Sequence, residues 1–300
     1  METFAFYYPW YGTQPYRHWK PDPINPETRL ENSPRYPSLG LYNSGHKSTL
    51  DRHFRWARLA GLTGFVVSWW GRGSFEDRLV LKILKTAAKF GLQISLYYER
   101  VGDSSPHNTT DTTDTTDTTT TTKTTTTKTT TTNTTRESRI LSDLTYLSSQ
   151  YATHPAYYKR DNKPVLFLYR RAIKSLKPLS RWKAIIKSPS NPFLIIADGN
   201  TPVRSNIFQA THTYNPVSVL SSLPNPNTKS TSEIATRLHR HYRHSSKTQR
   251  QHGHPVILTV AKGYDDRLER PDSGFYLSSD HSRLYHTMWL NALAFQPDIV

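Results

Sequence analysis

Short, unbroken apolar runs alternate with longer stretches of helical periodicity along this chain. The apolar runs lack a regular polar face, which is typical of strands that are covered on both sides of a sheet. The pattern predicts seven strands: Phe4–Tyr8, Gly64–Trp69, Gln93–Tyr98, Val165–Tyr169, Phe193–Ala197, Ile207–Ala210 and Val256–Val260. The fifth is expected to connect to the sixth through little or no helix.

Between the strands, apolar residues recur three or four positions apart and predict amphipathic helices. Gly61 and Gly91 directly follow the first two of these, where glycine favours a helix end. The predicted helices are Ser48–Ala60, Phe75–Phe90, Arg136–Tyr151, Ala172–Lys187, Ser232–Ser246 and Ser282–Phe295. Strands that alternate with helices indicate a parallel α/β fold.

Aromatic and polar residues at the predicted strand ends favour a barrel over an open sheet. A doubly wound sheet usually begins with a glycine-rich turn, and none follows the first strand here. The strand ends instead carry Tyr8, Trp69-Trp70, Glu99, Asp198, His212–Tyr214 and Tyr264–Asp266. Such groups at the carboxyl ends of many parallel strands are typical of the active face of a TIM-type (β/α)8 barrel.

An eighth strand is largely missing from the predicted barrel. A barrel closes when its last strand pairs with both its first and its seventh. The pattern places the start of an eighth strand at Asp298-Ile299-Val300, the last residues of the sequence. We therefore expect residues 1–300 to form one truncated barrel domain, incomplete at its C-terminus, in which the first and seventh strands present open edges.

Residues 109–135 interrupt this pattern with a low-complexity segment. It consists of threonine with scattered aspartate, lysine and asparagine. Without large apolar side chains it cannot offset the entropy of becoming ordered. It is therefore predicted to be a disordered insertion within the single domain.

The composition excludes several kinds of site and leaves the compartment open. The chain contains no cysteine, so it has no disulfide framework, thiolate metal site or cysteine nucleophile. The histidines of the basic run at residues 237–250 do not form the H-E-x-x-H zinc pattern, and no acidic ligand accompanies them, so no metal is expected. No other cofactor is expected either. No window approaches the roughly 18 unbroken apolar residues of a membrane span. No secretory signal precedes the first strand, which predicts either a cytosolic protein or a true start upstream of Met1.

A net charge of +16 raises the possibility of a nucleic-acid partner. The densest basic run spans residues 237–250, after a helix start signal at Ser230–Glu233. Ile234, Leu238 and Tyr242 lie four positions apart and form an apolar stripe, with charges elsewhere. This pattern favours a solvated helix face on the barrel exterior, and no nucleic-acid partner is expected.

The first strand ends in a cluster of aromatic residues. Pro9 ends the strand because it lacks the N–H that a sheet ladder needs, which leaves Tyr8, Trp10 and Tyr11 at or just past the strand end. Flat aromatic faces with polar edges suit a cleft that binds sugars. On this stretch alone, sugar binding and core packing both remain open for the three residues.

Seven motifs, in the order of the chain, resemble a known family. They are Phe6–Gly12, Leu39–Ser44, Gly64–Trp70, Tyr97–Glu99, Lys163–Tyr169, Thr211–Pro216 and Gly263–Asp266. Together they resemble glycoside hydrolase family 99, the endo-α-mannosidase family, and its barrel relatives. The resemblance covers most of the chain outside the threonine-rich segment.

The resemblance implies a retaining glycosidase that acts on α-mannose-type glycans. Its two working carboxylates would be glutamates in an Asn-Glu-Trp-His-Glu type motif on and just after the eighth strand. One would assist the 2-hydroxyl of the substrate as an internal nucleophile, and the other would serve as acid and then base. This sequence departs at that point, because it ends at Val300 and contains neither glutamate. The chain is therefore expected to be inactive and to hold no catalytic residue.

Two strand ends supply further candidates for substrate binding. Glu99 follows two tyrosines, and the resemblance makes it a substrate-binding carboxylate whose pKa burial would raise. An ion pair with Arg100 or with another arginine at a strand end is the alternative. His212 and Tyr214 alternate along the chain, so they could share one face and contact sugar hydroxyls.

The remaining candidates have structural alternatives. Of the two tryptophans that end the second strand, Trp69 is expected to face the cleft. Tyr42 rests mainly on the resemblance. Tyr264 and Asp265 follow the seventh strand, where Asp265 could instead cap a turn or pair with a nearby arginine. Asp198 precedes a glycine, so a turn role is equally open for it.

Three functions remain open on the sequence. The favoured one is a truncated family-99-like glycoside hydrolase with a glycan as its partner. A non-catalytic or degenerate carbohydrate-binding barrel would keep the aromatic residues without the chemistry. A basic nucleic-acid-binding protein is the third, and no recognised motif supports it. Linkage specificity and oligomeric state are left open.

Overall fold

The computed structural model describes residues 1–13, 16–19, 37–102, 135–221, 229–267, 274–278 and 282–300. The strands within these residues are β1 (Phe4–Tyr7), β2 (Gly12–Thr13), β3 (Tyr16–Arg17), β4 (Gly64–Trp69), β5 (Gln93–Tyr98), β6 (Lys159–Arg160), β7 (Lys163–Leu168), β8 (Leu194–Asp198), β9 (Ala210–His212), β10 (Tyr264–Asp265) and β11 (Tyr276–Leu277). The helices are α1 (Lys47–Leu59), α2 (Asp77–Phe90), α3 (Arg136–Leu147), α4 (Arg170–Lys174), α5 (Trp182–Lys187), α6 (Pro202–Ser205), α7 (Ser218–Ser221), α8 (Thr231–Gln251) and α9 (Arg283–Leu293). The threonine-rich insertion predicted over residues 109–135 lies outside the described residues, except for Thr135, whose side chain caps α3.

A parallel sheet in the order β1-β4-β5-β7-β8-β9 forms a half-barrel, with helices packed on its outer face. The short strand β6 adds an antiparallel pair at the start of β7. Neighbouring strands of the sheet follow one another along the chain, and helices occupy most of the connections between them. The predicted alternation of parallel strands and helices is confirmed. The connection from β8 to β9 holds only the four-residue helix α6, as expected.

The fourth predicted helix and the sixth predicted strand are wrong in detail. The helix predicted over Ala172–Lys187 is broken, because Pro178 lacks the N–H that a helix interior needs. The chain there forms α4, a 3-10 turn over Leu179–Arg181 and then α5. The sixth strand lies at Ala210–His212, later than predicted, because Phe208 packs against Trp182 in the layer of helices.

Side chains of the sheet point alternately into the barrel and toward the helices, as the period of a strand requires. The inner cluster includes Phe4, Phe6, Val66, Tyr97, Phe167 and Ile196. The outer cluster, packed on α1, α2 and α3, includes Tyr7, Phe65, Val67, Trp69, Leu96 and Tyr98. The inner cluster fills the barrel below the strand ends where the candidate site residues lie.

Residues 298–300 lie between the first and seventh positions of the barrel. The amide of Phe4 donates to the carbonyl of Val300 over 2.8 Å, and the amide of Leu258 donates to the carbonyl of Ile299 over 3.0 Å. The expectation of two open edges is therefore wrong at the start of β1 and near Leu258, where residues 298–300 pair with both. The strand predicted over Val256–Val260 is reduced to a single bridge between Ile257 and Ile299. Next to Val300 in space, a cavity of about 270 Å³ lies between residues 3–6 and residues 257–260.

The side chain of Gln249 on α8 joins the sixth and seventh positions of the barrel. Its amide nitrogen donates to the carbonyls of Thr211 and Ile257, each over 2.9 Å. Its amide oxygen accepts from the backbone N–H of Ile257 over 3.1 Å. Gln249 is fully buried, so its amide replaces the backbone pairing that a strand would supply there.

The basic helix packs as its pattern predicts. Ser230 and Glu233 form a capping box at the start of α8. Leu238 and Tyr242 are fully buried, and Ile234 packs against the same cluster. In the described part of the chain, no helix is long and apolar enough to cross a bilayer.

Candidate functional site

Tyrosines from several strand ends meet at the carboxyl end of the sheet. The hydroxyl oxygens of Tyr8 and Tyr214 lie 2.5 Å apart. The ring of Tyr214 stacks on Tyr97 with 5.7 Å between centroids and meets Tyr169 edge-on at 5.3 Å. Burial raises the pKa of Tyr214 to about 12, so its hydroxyl stays protonated at neutral pH. Tyr8, Tyr97, Tyr169 and Tyr214 are called the tyrosine cluster below.

Glu99 lies beside the tyrosine cluster and is only 5% exposed. The hydroxyl of Ser68 donates to Oε1 of Glu99 over 2.7 Å. Burial raises the pKa of Glu99 to about 7, although the Ser68 hydrogen bond lowers it. The carboxylates of Glu76 and Asp198 raise the pKa of Glu99 further. A carboxyl group in this environment can donate or accept a proton near neutral pH.

Trp10 provides an aromatic face next to these groups. Its ring stacks on Tyr8 and on His18, with 4.7 Å between centroids in both cases. Trp70 lies 6.2 Å from Trp10. The indole N–H of Trp10 is buried and has no hydrogen-bond partner among the described residues. Trp10 is partly exposed, so what its ring offers to a sugar is the apolar surface that Tyr8 and His18 leave uncovered.

The expectation that Trp69 faces the cleft is wrong. Side chains of β4 alternate so that Val66 points into the barrel, while Val67 and Trp69 point toward the helices. Trp69 points toward the helices, is fully buried, and donates its indole N–H to Asp77 of α2 over 2.7 Å. Trp70 points inward instead and donates to the hydroxyl of Ser68 over 2.9 Å. The hydroxyl of Ser68 thus links the indole N–H of Trp70 to the carboxyl group of Glu99 by two hydrogen bonds.

His212 shares the inward face with Tyr214, as expected, but it lies one layer deeper. Phe6, Tyr97 and Phe167 contact its ring, and it is 1% exposed. Burial lowers the pKa of His212 to about 4, so the ring is neutral. A direct contact between His212 and a sugar hydroxyl at the mouth does not fit this position.

Tyr11 and Tyr42 pack together in the loops behind Trp10. Tyr11 stacks on Trp19 at 4.1 Å and meets Tyr42 edge-on at 5.5 Å. Trp19 donates its indole N–H to the carbonyl of Tyr42 over 2.7 Å. Tyr11 also meets the ring of Trp10 edge-on at 6.3 Å, so the two tyrosines pack behind Trp10 and are not part of the tyrosine cluster.

The aspartates at the strand ends are engaged with neighbours. Asp265 forms a two-pronged ion pair with Arg267, over 2.9 Å and 2.8 Å, which is the structural alternative for this residue. Asp198 accepts from the backbone N–H of Tyr214 over 3.0 Å, and its second oxygen faces Arg170 at 3.6 Å. Tyr264 donates to Asp266 over 2.9 Å at the edge of the mouth.

Comparisons with known proteins fit this geometry. Residues 1–120 match the sequence model of glycosyl hydrolase family 99. Two solved structures of the GH99 endo-alpha-mannosidase from Bacteroides thetaiotaomicron, one in complex with bis-tris-propane, superpose with a TM-score of 0.70 each. They are 21% and 20% identical and cover 99% of this chain and 81% and 83% of their own. The chain has a glycoside hydrolase family 99-like fold.

The family-99 resemblance predicted from the motifs is thereby confirmed. A curated relative, the glycoprotein endo-alpha-1,2-mannosidase of Xenopus laevis, is 22% identical over an alignment of 198 residues that covers 56% of this chain. The matched region spans only 37% of that relative. The comparisons therefore show the family-99-like fold for this chain. They do not show that this chain has the activity of the whole relative.

The mouth presents the buried carboxyl group of Glu99 within a wall of hydroxyl and indole groups. Sequence reasoning missed three residues that hold the site together. Ser68 donates to Glu99, and Tyr97 and Tyr169 pack against the ring of Tyr214. Counting alternate positions back from Glu99 along β5 would have found Tyr97. Within the described residues, no group of three or more histidine, aspartate or glutamate side chains is arranged to hold a metal ion.

Proposed function

We propose that this chain is the glycan-binding part of an endo-α-mannosidase-like glycoside hydrolase that acts on α-mannose-type glycans. The observation that carries the proposal is Glu99, buried on Ser68 beside the tyrosine cluster in a family-99-like fold. The residues proposed to bind the sugar are Tyr8, Trp10, Trp70, Glu99 and Tyr214. Trp10 and Trp70 are partly exposed and offer apolar ring surface, while the hydroxyls and the carboxyl offer hydrogen bonds.

We further propose that the chain binds glycan without hydrolysing it. Glycoside hydrolysis normally needs two carboxyl groups that flank the scissile bond. Among the described residues near Glu99, Asp198 is engaged with Tyr214 and Arg170, and Glu76 faces Arg17 at 3.8 Å. Glu99 is the carboxyl group that remains for the sugar. The cavity between residues 3–6 and residues 257–260 has the place of a further strand beside β1. No aspartate or glutamate is among the described residues that line this cavity, so it supplies no second carboxyl group to the mouth.

A paired assay on the purified 300-residue chain tests the proposal. Binding and release of reducing sugar are measured for an α-linked mannose oligosaccharide and for a β-linked glucose oligosaccharide of equal length. The expected result is preferential binding of the mannose ligand with no release of reducing sugar. Equal binding of the two ligands would overturn the substrate class, and turnover would overturn the proposed inactivity.

A non-catalytic carbohydrate-binding barrel is the second candidate. It is favoured because the other described carboxyl groups near Glu99, those of Asp198 and Glu76, face arginines or accept from the backbone. A version of the protein extended beyond Val300 separates the two candidates. Hydrolysis by the extended version supports the enzyme, whereas binding without hydrolysis supports the binding protein.

A further inference from the structure

A second, polar cavity of about 350 Å³ lies beside the tyrosine cluster, between the ends of β8 and β9 and the helix α8. Asp198 separates the two, because one of its oxygens accepts from the N–H of Tyr214 and the other faces the cavity wall at Arg170. The volume falls within the range of about 300–1,000 Å³ that is usual for ligand sites. The cavity therefore has the size and the position of a neighbouring binding site.

The side chains that line this cavity carry a net positive charge. Arg170 and Lys174 of α4 and Arg204 of α6 supply three cations. Asp198 is the one carboxylate among the described lining residues. His241 also lines the cavity, and burial lowers its pKa to about 4, so it adds no charge at neutral pH.

Two features show that the cavity is built into the fold. Arg204 packs its guanidinium against Gly199, where a Cβ atom would overlap it, so the missing side chain of Gly199 makes room for the cation. Ser245 of α8 is 1% exposed and lines the same cavity. Its hydroxyl has no hydrogen-bond partner among the described residues, although a buried hydroxyl normally has one.

We propose that this cavity binds a tetrahedral oxyanion, namely a phosphate or sulfate ester carried by a sugar. Guanidinium groups match the geometry of such an anion, and a lysine adds a point charge. The hydroxyl of Ser245 and the neutral ring of His241 provide further polar contacts. The site goes beyond the proposed glycan site, and it places the charged substituent of a sugar next to the tyrosine cluster.

Calorimetric titration of the full chain with inorganic phosphate, inorganic sulfate, mannose 6-phosphate and mannose tests the proposal. Arg204→Gln and Lys174→Gln are each expected to weaken the binding of phosphate about tenfold, since each removes a charge-assisted contact. Lys174 is exposed, so its variant keeps the test valid if Arg204→Gln disturbs the fold. Arg240→Gln removes an exposed cation of α8 that does not line the cavity, and it should leave phosphate affinity unchanged. Mannose 6-phosphate should bind more tightly than phosphate alone.

Equal losses in all three variants would show an adventitious ion only, held by general positive charge, and would overturn the proposal. Absence of phosphate and sulfate binding would also overturn it. The inorganic anions do not need the glycan site. Their result therefore stands separately from the proposed function, which the neutral oligosaccharides test.

Discussion

The hydroxyl oxygens of Tyr8 and Tyr214 lie 2.5 Å apart, although 206 positions separate the two residues along the chain. The contact joins the ends of the first and the sixth strand of the sheet across the mouth of the barrel. Tyr8 also stacks on Trp10, and Tyr214 donates its backbone N–H to the carboxylate of Asp198. The contact therefore connects the aromatic wall to the carboxylates of the opposite strands.

Loss of the Tyr8 hydroxyl should weaken the fold and the mouth together. Tyr8→Phe leaves the half-buried hydroxyl of Tyr214 without this partner, so we expect the free energy of unfolding to fall by about 1 kcal/mol. Urea unfolding followed by fluorescence measures the change. Tyr285→Phe is the matched control, because Tyr285 is 38% exposed on α9, and it should change little. Equal effects of the two substitutions would contradict the importance of the contact.

Gln249 should contribute far more to stability than an ordinary surface amide. Gln249→Ala removes the side-chain bonds that link Thr211 to Ile257 and leaves buried backbone groups unpaired. We expect a loss of about 3 kcal/mol or more in the free energy of unfolding. Gln251→Ala, at an exposed position of the same helix, should stay within about 0.5 kcal/mol of the original chain. A small effect of Gln249→Ala would show that the hydrogen bonds of Gln249 do not stabilise the link between Thr211 and Ile257.

Asp77 should be a third point of sensitivity, because it orients the outward face of the sheet. Its carboxylate accepts from Trp69, Tyr151, Tyr146 and the backbone N–H of Gly73. Asp77→Asn replaces one acceptor oxygen with a donor, and we expect a loss of about 2 kcal/mol in thermal or urea unfolding. Asp161→Asn, at an exposed turn position with φ of 50°, should be neutral, since asparagine tolerates this conformation. An equally neutral Asp77→Asn would refute the assigned role.

The raised pKa of Glu99 predicts a specific pH dependence. The pKa is 4.5 in the reference state and about 7 in the fold, so the folded chain holds a proton that the unfolded chain loses between these values. The contribution of Glu99 is therefore fully present below pH 4.5 and falls by up to about 3 kcal/mol as the pH rises to 7. Glu99→Gln should remove this fall, so the variant gains stability relative to the original chain over that window. A parallel pH profile for the two proteins would contradict the raised pKa.

His212 should act in the opposite sense. Burial lowers its pKa from 6.5 to about 4, so the unfolded chain takes up a proton that the fold excludes. Stability from this residue is present above pH 6.5 and is lost as the pH falls toward 4. His212→Gln should flatten that loss in urea unfolding measured from pH 4 to pH 7. A variant with an unchanged pH profile would show that the ring is protonated or solvated in the fold.

Much of the fold follows from local patterns, whereas the direction of several side chains does not. Apolar runs such as Gln93–Tyr98 and the capping box at Ser230 predicted their elements correctly, because propensity and burial agree there. The choice between Trp69 and Trp70 failed, because both faces of a buried strand are apolar and the sequence does not show which face points inward. The role of Gln249 lay beyond prediction, since its bonds depend on how a helix docks between two distant segments.

Calorimetric titration of the chain with an α-linked mannose oligosaccharide tests the central claim most directly. Measurable binding by the original chain is expected, with a loss of affinity of about tenfold in Trp10→Ala, because an aromatic contact of this kind contributes on that order to affinity. Trp56→Ala, which removes a tryptophan that is 46% exposed on α1, should bind as the original chain does. Absence of binding, or equal affinities for the two tryptophan variants, would contradict the placement of the glycan site at the mouth of the barrel.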